Sequence, residues 1–216
     1  MEIKGVIFDL DGTLLDSMWY WDRFREEFLA ERGKQLMPDF RDKYYIYSNA
    51  ASAEMIVNDY GLSETPEQVI RSMMETAARF YRDRVQPKPF ALEFMDDLKN
   101  AGVKMALATA TEHMLVDIAV ERFRLDRYLS DIVTCTDVNA SKTEPAVYLR
   151  ALKAVGSPLE NTAVFEDALI AAGTAKRAGF YTVGIYDGTA AANEQAMRRL
   201  CDEYVYDFSQ VSDRFR

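Results

Sequence analysis

The sequence predicts an α/β fold, a parallel sheet wound with helices on both faces and interrupted near its start by an all-helical insertion. Three observations predict it. From residue 90 to the end, short apolar runs alternate with helical patterns. The first apolar run, residues 3–9, ends in an acid and then a glycine turn at Gly12. Between these parts, residues 17–85 carry helical spacing and no strand pattern.

The first run, Ile-Lys-Gly-Val-Ile-Phe-Asp, reads as a buried parallel strand that carries Asp9 at its carboxyl end. In the insertion, Trp21, Phe24, Phe28 and Leu29 recur at helical spacing. So do Val69, Ile70, Met73, Met74, Ala77 and Phe80. The second stretch opens with Thr65-Pro66-Glu67-Gln68, an N-cap with proline at the first helical position and a capping-box glutamine. Gln86-Pro87-Lys88-Pro89 closes the insertion. A helix is then predicted near 90–101, ending at Gly102, followed by a strand over 103–109 and a helix over 112–122. A strand over 131–135 precedes a helix near 144–155, and Ser157-Pro158-Leu159-Glu160 reads as the cap of a short turn. A strand over 162–165 ends in Glu166-Asp167. An Ala-rich helix runs to about 178 and stops at Gly179, and residues 181–186 and 204–206 read as the last strands.

Composition narrows the function. The chain has 216 residues, enough for one α/β domain with an insertion or for two small domains. Its net charge of -9 disfavours nucleic acid and anionic membrane surfaces as partners. The same charge repels a phosphorylated substrate, so such a substrate needs a local positive site. The two cysteines, Cys135 and Cys201, lack metal-ligand spacing and are expected as reduced thiols. The start of the sequence carries no leader pattern, and no apolar run is long enough to cross a bilayer. A cytoplasmic location is therefore expected. Oligomeric state is left open.

The polar groups fall in a pattern. Asp9, Thr109 and Glu166-Asp167 each sit at the carboxyl end of a predicted strand, and Lys142 follows another. Ligands of such sheets bind at those ends. Asp9 and Asp11 alternate along the chain, so both can face one pocket. Two close carboxylates, with Asp167 added, call for a cation, and hard oxygen ligands suit Mg²⁺. An ionised aspartate can attack phosphorus to form an aspartyl-phosphate. Like charges about 4 Å apart cost roughly 4 kcal/mol at an effective dielectric of ~20. A metal and Lys142 would cancel that repulsion. Thr109, with the backbone N–H groups that follow at Ala110 and beyond, would hold the remaining phosphate oxygens. Asp11 would serve as acid and then base.

Four ordered signatures make the chain resemble the haloacid dehalogenase-like hydrolase superfamily, in the branch with a helical cap after the first strand. They are Asp9-Leu10-Asp11-Gly12-Thr13-Leu14-Leu15-Asp16-Ser17, Leu107-Ala108-Thr109-Ala110-Thr111, Ser141-Lys142-Thr143-Glu144-Pro145, and Val164-Phe165-Glu166-Asp167 followed by Ala175 and Ala178-Gly179. The resemblance implies a Rossmann-like core over 1–16 and 87–216 and a cap over 17–86. It implies Asp9 as nucleophile, Asp11 as acid/base, and phosphate binding at Thr109, Ala110 and Lys142. It implies Mg²⁺ held by the Asp9 carboxylate, the Asp11 carbonyl and Asp167, with Glu166 and Thr13 close behind. Ser141 and Thr143 stand where the third signature often has Gly and Pro. Ala168 and Ala171 stand where the fourth often has Ser and Gly.

The expected activity is hydrolysis of a small phosphorylated metabolite. Dehalogenases and phosphonate-cleaving relatives lack the acid matching Asp11. A sugar-phosphate mutase of the β-phosphoglucomutase type is the alternative, although that enzyme carries a histidine where Trp21 stands and a lysine where Glu112 stands. A non-catalytic phospho-receiver is a third reading, disfavoured by the large insertion. His113, the single histidine, is expected to be structural or solvated, with substrate contact open. Trp19, Trp21 and Phe24 are expected to pack the cap, the Tyr44-Tyr45-Ile46-Tyr47 run is undecided, and Arg198-Arg199 reads as a solvated face.

Overall fold

Val6, Ile7 and Phe8 have no solvent exposure, as expected of a strand covered on both faces. They form β1 (Gly5–Phe8) at the centre of a six-stranded sheet in a computed structural model that describes residues 2–37 and 49–215. The other strands of that sheet are β4 (Lys104–Thr109), β5 (Leu129–Thr134), β6 (Thr162–Glu166), β7 (Tyr181–Ile185) and β8 (Glu203–Val205). The order is β5-β4-β1-β6-β7-β8, with every pairing parallel. Phe8 is in register with Leu107 on one side and Phe165 on the other. The chain positions just beyond them, Asp9, Thr109 and Glu166-Asp167, therefore leave three adjacent strands at one edge.

Alternation along β1 divides the core. Ile7 joins Ala106, Ala108, Val164, Tyr148 and Phe180 on one face. Phe8 joins a phenylalanine cluster on the other, with Phe8–Phe165 ring centroids at 5.0 Å and Phe165–Phe208 stacked at 5.7 Å. Phe94 and Phe215 complete that cluster. Helices Ala91–Asn100, His113–Phe123, Ala146–Val155, Leu169–Ala178 and Glu194–Leu200 complete the strand–helix alternation.

The chain divides into two compact units, Met1–Met18 with Val85–Arg216, and Trp19–Arg84. Both crossings lie two residues inside the boundaries read from the sequence. The reason is a small antiparallel ribbon in which β2 (Leu15–Asp16) pairs with β3 (Gln86–Pro87), extended by Lys88 N donating to Leu14 O at 2.8 Å. The helical unit contains helices Asn49–Tyr60 and Pro66–Asp83 and most of Met18–Ala30. The Thr65 capping box is formed in full. Phe28, Leu29, Ala53, Ile56, Tyr60 and Val69 make its core. Tyr20 stacks on Phe80 at 3.6 Å, and Trp19, Trp21 and Phe24 pack around that pair. The helix over Asn49–Tyr60 has no counterpart in the sequence reading. The Tyr44–Tyr47 run lies outside the described residues.

Two local readings need correction. Cys135 does not end β5 but begins a short helix, Cys135–Val138, because Thr134 and Asp137 close a capping box there. Ser157 caps nothing. Its hydroxyl pairs with Thr162 Oγ1 at 2.6 Å, and Pro158 occupies the N-cap of the turn. The helix after β4 has Glu112 at its N-cap.

Candidate active site

The turn after β1 sets the geometry. Leu15 N donates to Leu10 O and Gly12 N donates to Leu15 O, both at 2.9 Å, which closes a tight loop. Gly12 has φ +80, and a Cβ there would overlap the Asp167 carboxylate. Glycine is required on both counts. Thr13, beside it, donates to Asp167 Oδ1 at 3.5 Å.

Lys142 reaches the cluster from the loop after the short helix Cys135–Val138. Its Nζ lies 2.5 Å from Asp9 Oδ1 and 2.6 Å from Glu166 Oε1. Ser141 and Thr143 flank it, with their hydroxyls 2.6 Å apart and Thr143 N donating back to Ser141 Oγ. These contacts lie at the two positions where the third signature was expected to carry Gly and Pro. Tyr148, on helix Ala146–Val155, donates its hydroxyl to Glu166 Oε1 at 2.7 Å. No sequence signal marked Tyr148, since its spacing is that of an ordinary core-facing position.

Asp9, Glu166 and Asp167 are 7%, 1% and 6% exposed. Each offers an oxygen within 4.8 Å of the others. Burial, offset in part by Lys142 and reinforced by Glu166, pushes Asp9 up to about 7. Burial, then Asp9 and Glu166, hold Asp167 well above the usual carboxylate range. Burial alone would lower the Lys142 ammonium, but Asp9 and Glu166 outweigh it and raise the lysine above its usual value. Burial and the Glu166 charge drive the Tyr148 hydroxyl far up, so it remains a donor. Among the described residues, Glu166 Oε2 is buried without a hydrogen-bond partner. Three enclosed carboxylates, one ammonium and an unpartnered oxygen make a donor set that fits a hard divalent cation.

Asp11, beside that cluster, has hydrogen bonds of its own. Ser17 Oγ donates to Oδ1 and Thr111 Oγ1 donates to Oδ2, each at 2.5 Å. Thr111 thus orients the expected acid/base, a role the sequence reading did not give it. Thr109 is fully buried. Its hydroxyl donates to Thr111 Oγ1 at 3.0 Å and accepts from Thr111 N at 3.1 Å, while Ala110 beside it is exposed. His113 Nε2 lies 2.9 Å from Asp137 Oδ1 and 3.3 Å from Thr134 Oγ1. The hydrogen bond to Asp137 raises its pKa despite its exposure.

The haloacid dehalogenase-like hydrolase family model matches residues 6–185. The chain belongs to that family. Among its relatives is a phosphorylated carbohydrates phosphatase from Thermotoga maritima, 26% identical over 82% of each chain. A phosphoglycolate phosphatase from Agrobacterium fabrum is 28% identical over 84% of this chain and 80% of that one. The crystal structure of CbbY from Rhodobacter sphaeroides in complex with phosphate superposes with TM-score 0.77 at 20% identity, covering 96% of each chain. Membership in a hydrolase family sets aside the phospho-receiver reading. Among the described residues no helix is long and apolar enough to cross a membrane.

Proposed function

We propose that the protein is a phosphatase that hydrolyses a small phosphorylated metabolite through an aspartyl-phosphate on Asp9, with Mg²⁺ as cofactor. The observation that carries this reading is Lys142, placed between Asp9 and Glu166 at 2.5 and 2.6 Å inside an otherwise acidic, enclosed cluster. The phosphatase names of the two relatives support a phosphorylated carbohydrate or short acid as substrate.

In this reading an Asp9 oxygen attacks phosphorus, and the bond to the leaving oxygen breaks. Asp11, oriented by Ser17 and Thr111, gives its proton to the departing alkoxide. It then takes a proton from the water that attacks the phosphorus of the aspartyl-phosphate. Phosphate leaves and Asp9 is restored. Lys142 and the backbone N–H of Ala110 receive the phosphoryl oxygens. The Asp9 and Asp167 carboxylates and the Asp11 carbonyl would hold Mg²⁺, which supplies positive charge against the phosphate and favours the ionised form of Asp9. The helical unit Trp19–Arg84 is assigned substrate choice.

The test is hydrolysis of an aryl phosphate with Mg²⁺ and after chelation. Asp9→Asn is expected to lower kcat by about 10³-fold or more. Full activity in that variant would refute the nucleophile. Release of free phosphate separates hydrolysis from mutase chemistry, which would yield an isomerised sugar phosphate.

A further inference from the structure

The two oxygens of Glu166 are unequally served. Oε1 takes two donors, Lys142 Nζ at 2.6 Å and the Tyr148 hydroxyl at 2.7 Å. Oε2 takes none and is the buried side-chain atom left without a partner among the described residues. The terminal torsion of a glutamate is soft, so a carboxylate free to turn would share donors between its oxygens. Something fixes this one. Lys142 alone is a poor candidate, because it also binds Asp9 and sits on a flexible stem.

Tyr148 is a better one. Its ring is fully buried in the core cluster with Ile7, Ala106, Val164 and Phe180, on a regular helix. A packing role needs the ring alone, and phenylalanine would supply it. The hydroxyl is a polar group brought into an apolar core, costly unless bonded, and Glu166 provides the bond.

We propose that Tyr148 is a positioning residue. Its hydroxyl pins Glu166 Oε1, which leaves Oε2 as the oxygen offered to a divalent cation and keeps Lys142 shared between Glu166 and Asp9. The assignment rests on the cation site proposed above and adds Glu166 Oε2 to the Asp9 and Asp167 carboxylates, whose oxygens lie within 4.8 Å of one another.

The experiment is Tyr148→Phe in the full chain, with Mg²⁺ titrated calorimetrically and by thermal shift. The dissociation constant for Mg²⁺ is expected to rise about ten-fold, as for other residues that orient ligands. In a Glu166→Gln background, Tyr148→Phe should weaken Mg²⁺ binding no further. An unchanged Mg²⁺ constant, with melting lowered equally with and without the ion, would overturn the proposal. So would additive effects in the double variant. Glu166 Oε1 keeps Lys142 in Tyr148→Phe, so the variant should fold, and unfolding at 25 °C would show the hydroxyl to be a stability element instead. A parent chain that binds Mg²⁺ but releases no phosphate defeats the phosphatase reading and leaves the Tyr148 assignment to the binding data. A parent that binds no Mg²⁺ defeats both.

Discussion

Lys142 and Lys88 are both enclosed lysines of one unit, each paired with an aspartate, at 2.5 Å for Asp9 and 2.8 Å for Asp187. Their surroundings differ. Lys88 Nζ also donates to Tyr186 O at 3.0 Å. Asp187 Oδ1 accepts from Thr189 N and Thr189 Oγ1. Both oxygens of that carboxylate are served. Burial would raise Asp187, yet Lys88 and Thr189 outweigh it and hold it below the usual carboxylate range. Around Lys142 one ammonium faces Asp9 and Glu166 with Asp167 close by, Asp9 is pushed up to about 7, and Glu166 Oε2 has no partner. A closed polar network serves the fold. A network left short of positive charge stays in place because the rest of the core holds it there, and it has capacity for a ligand.

The contrast can be broken from either side. Lys142→Met should lower kcat/KM by about 10³-fold, read with an aryl phosphate at saturating Mg²⁺. A loss under about ten-fold would deny Lys142 its role toward phosphate. Lys88→Met should instead act on stability. It strands the Asp187 charge and should cost about 3 kcal/mol in urea unfolding, with kcat per folded molecule kept within about two-fold. Adding Mg²⁺ at about 100 times its dissociation constant should stabilise the parent by roughly 2.7 kcal/mol, and Asp167→Asn should lose most of that increment. Equal increments in the two chains would remove Asp167 from the cation site.

The pH response sharpens the comparison further. The folded pKa of Asp187 lies below its unfolded value of about 3.9. Its contribution is therefore present above that pH and disappears as pH falls through the folded value. The gap in urea midpoint between the parent and Asp187→Asn should be constant above about pH 5 and shrink below about pH 4. The smallest effect is expected at the exposed His113–Asp137 pair. His113→Asn should leave both the urea midpoint and kcat unchanged within error, because solvent screens the pair and Asp137 remains bonded to Thr134. A large fall in kcat would return His113 to substrate contact.

Much of this architecture was legible before any coordinates. Residues 3–9 and 162–167 announce buried strands that end in acids, and Thr65-Pro66-Glu67-Gln68 announces a helix start, because these signals are local. The readings that failed were also local, and each lost to a competing partner. Thr134 and Asp137 turned the end of β5 into a helix, and Thr162 took the Ser157 hydroxyl that was expected to cap a turn. The β2–β3 ribbon is two residues per strand and too short to leave a periodic pattern. Tyr148 and Lys88 escaped notice because a core-facing tyrosine and a lysine between two prolines carry no sequence mark of their partners, which lie 18 and 99 residues away.

The sequence by itself determined the acid-bearing ends of β1 and β6, the turn at Gly12, the family resemblance and the acids and lysine proposed for phosphoryl chemistry. Periodicity, capping and glycine requirements act over a few residues, so they can be read without a fold. Tertiary structure decided which oxygen of Glu166 is served, how Lys142 is shared, that Thr111 rather than Thr109 addresses Asp11, and that Lys88 closes on Asp187. Those outcomes depend on donors arriving from different strands and helices within about 3 Å, and on burial that raises the cost of every unpaired charge.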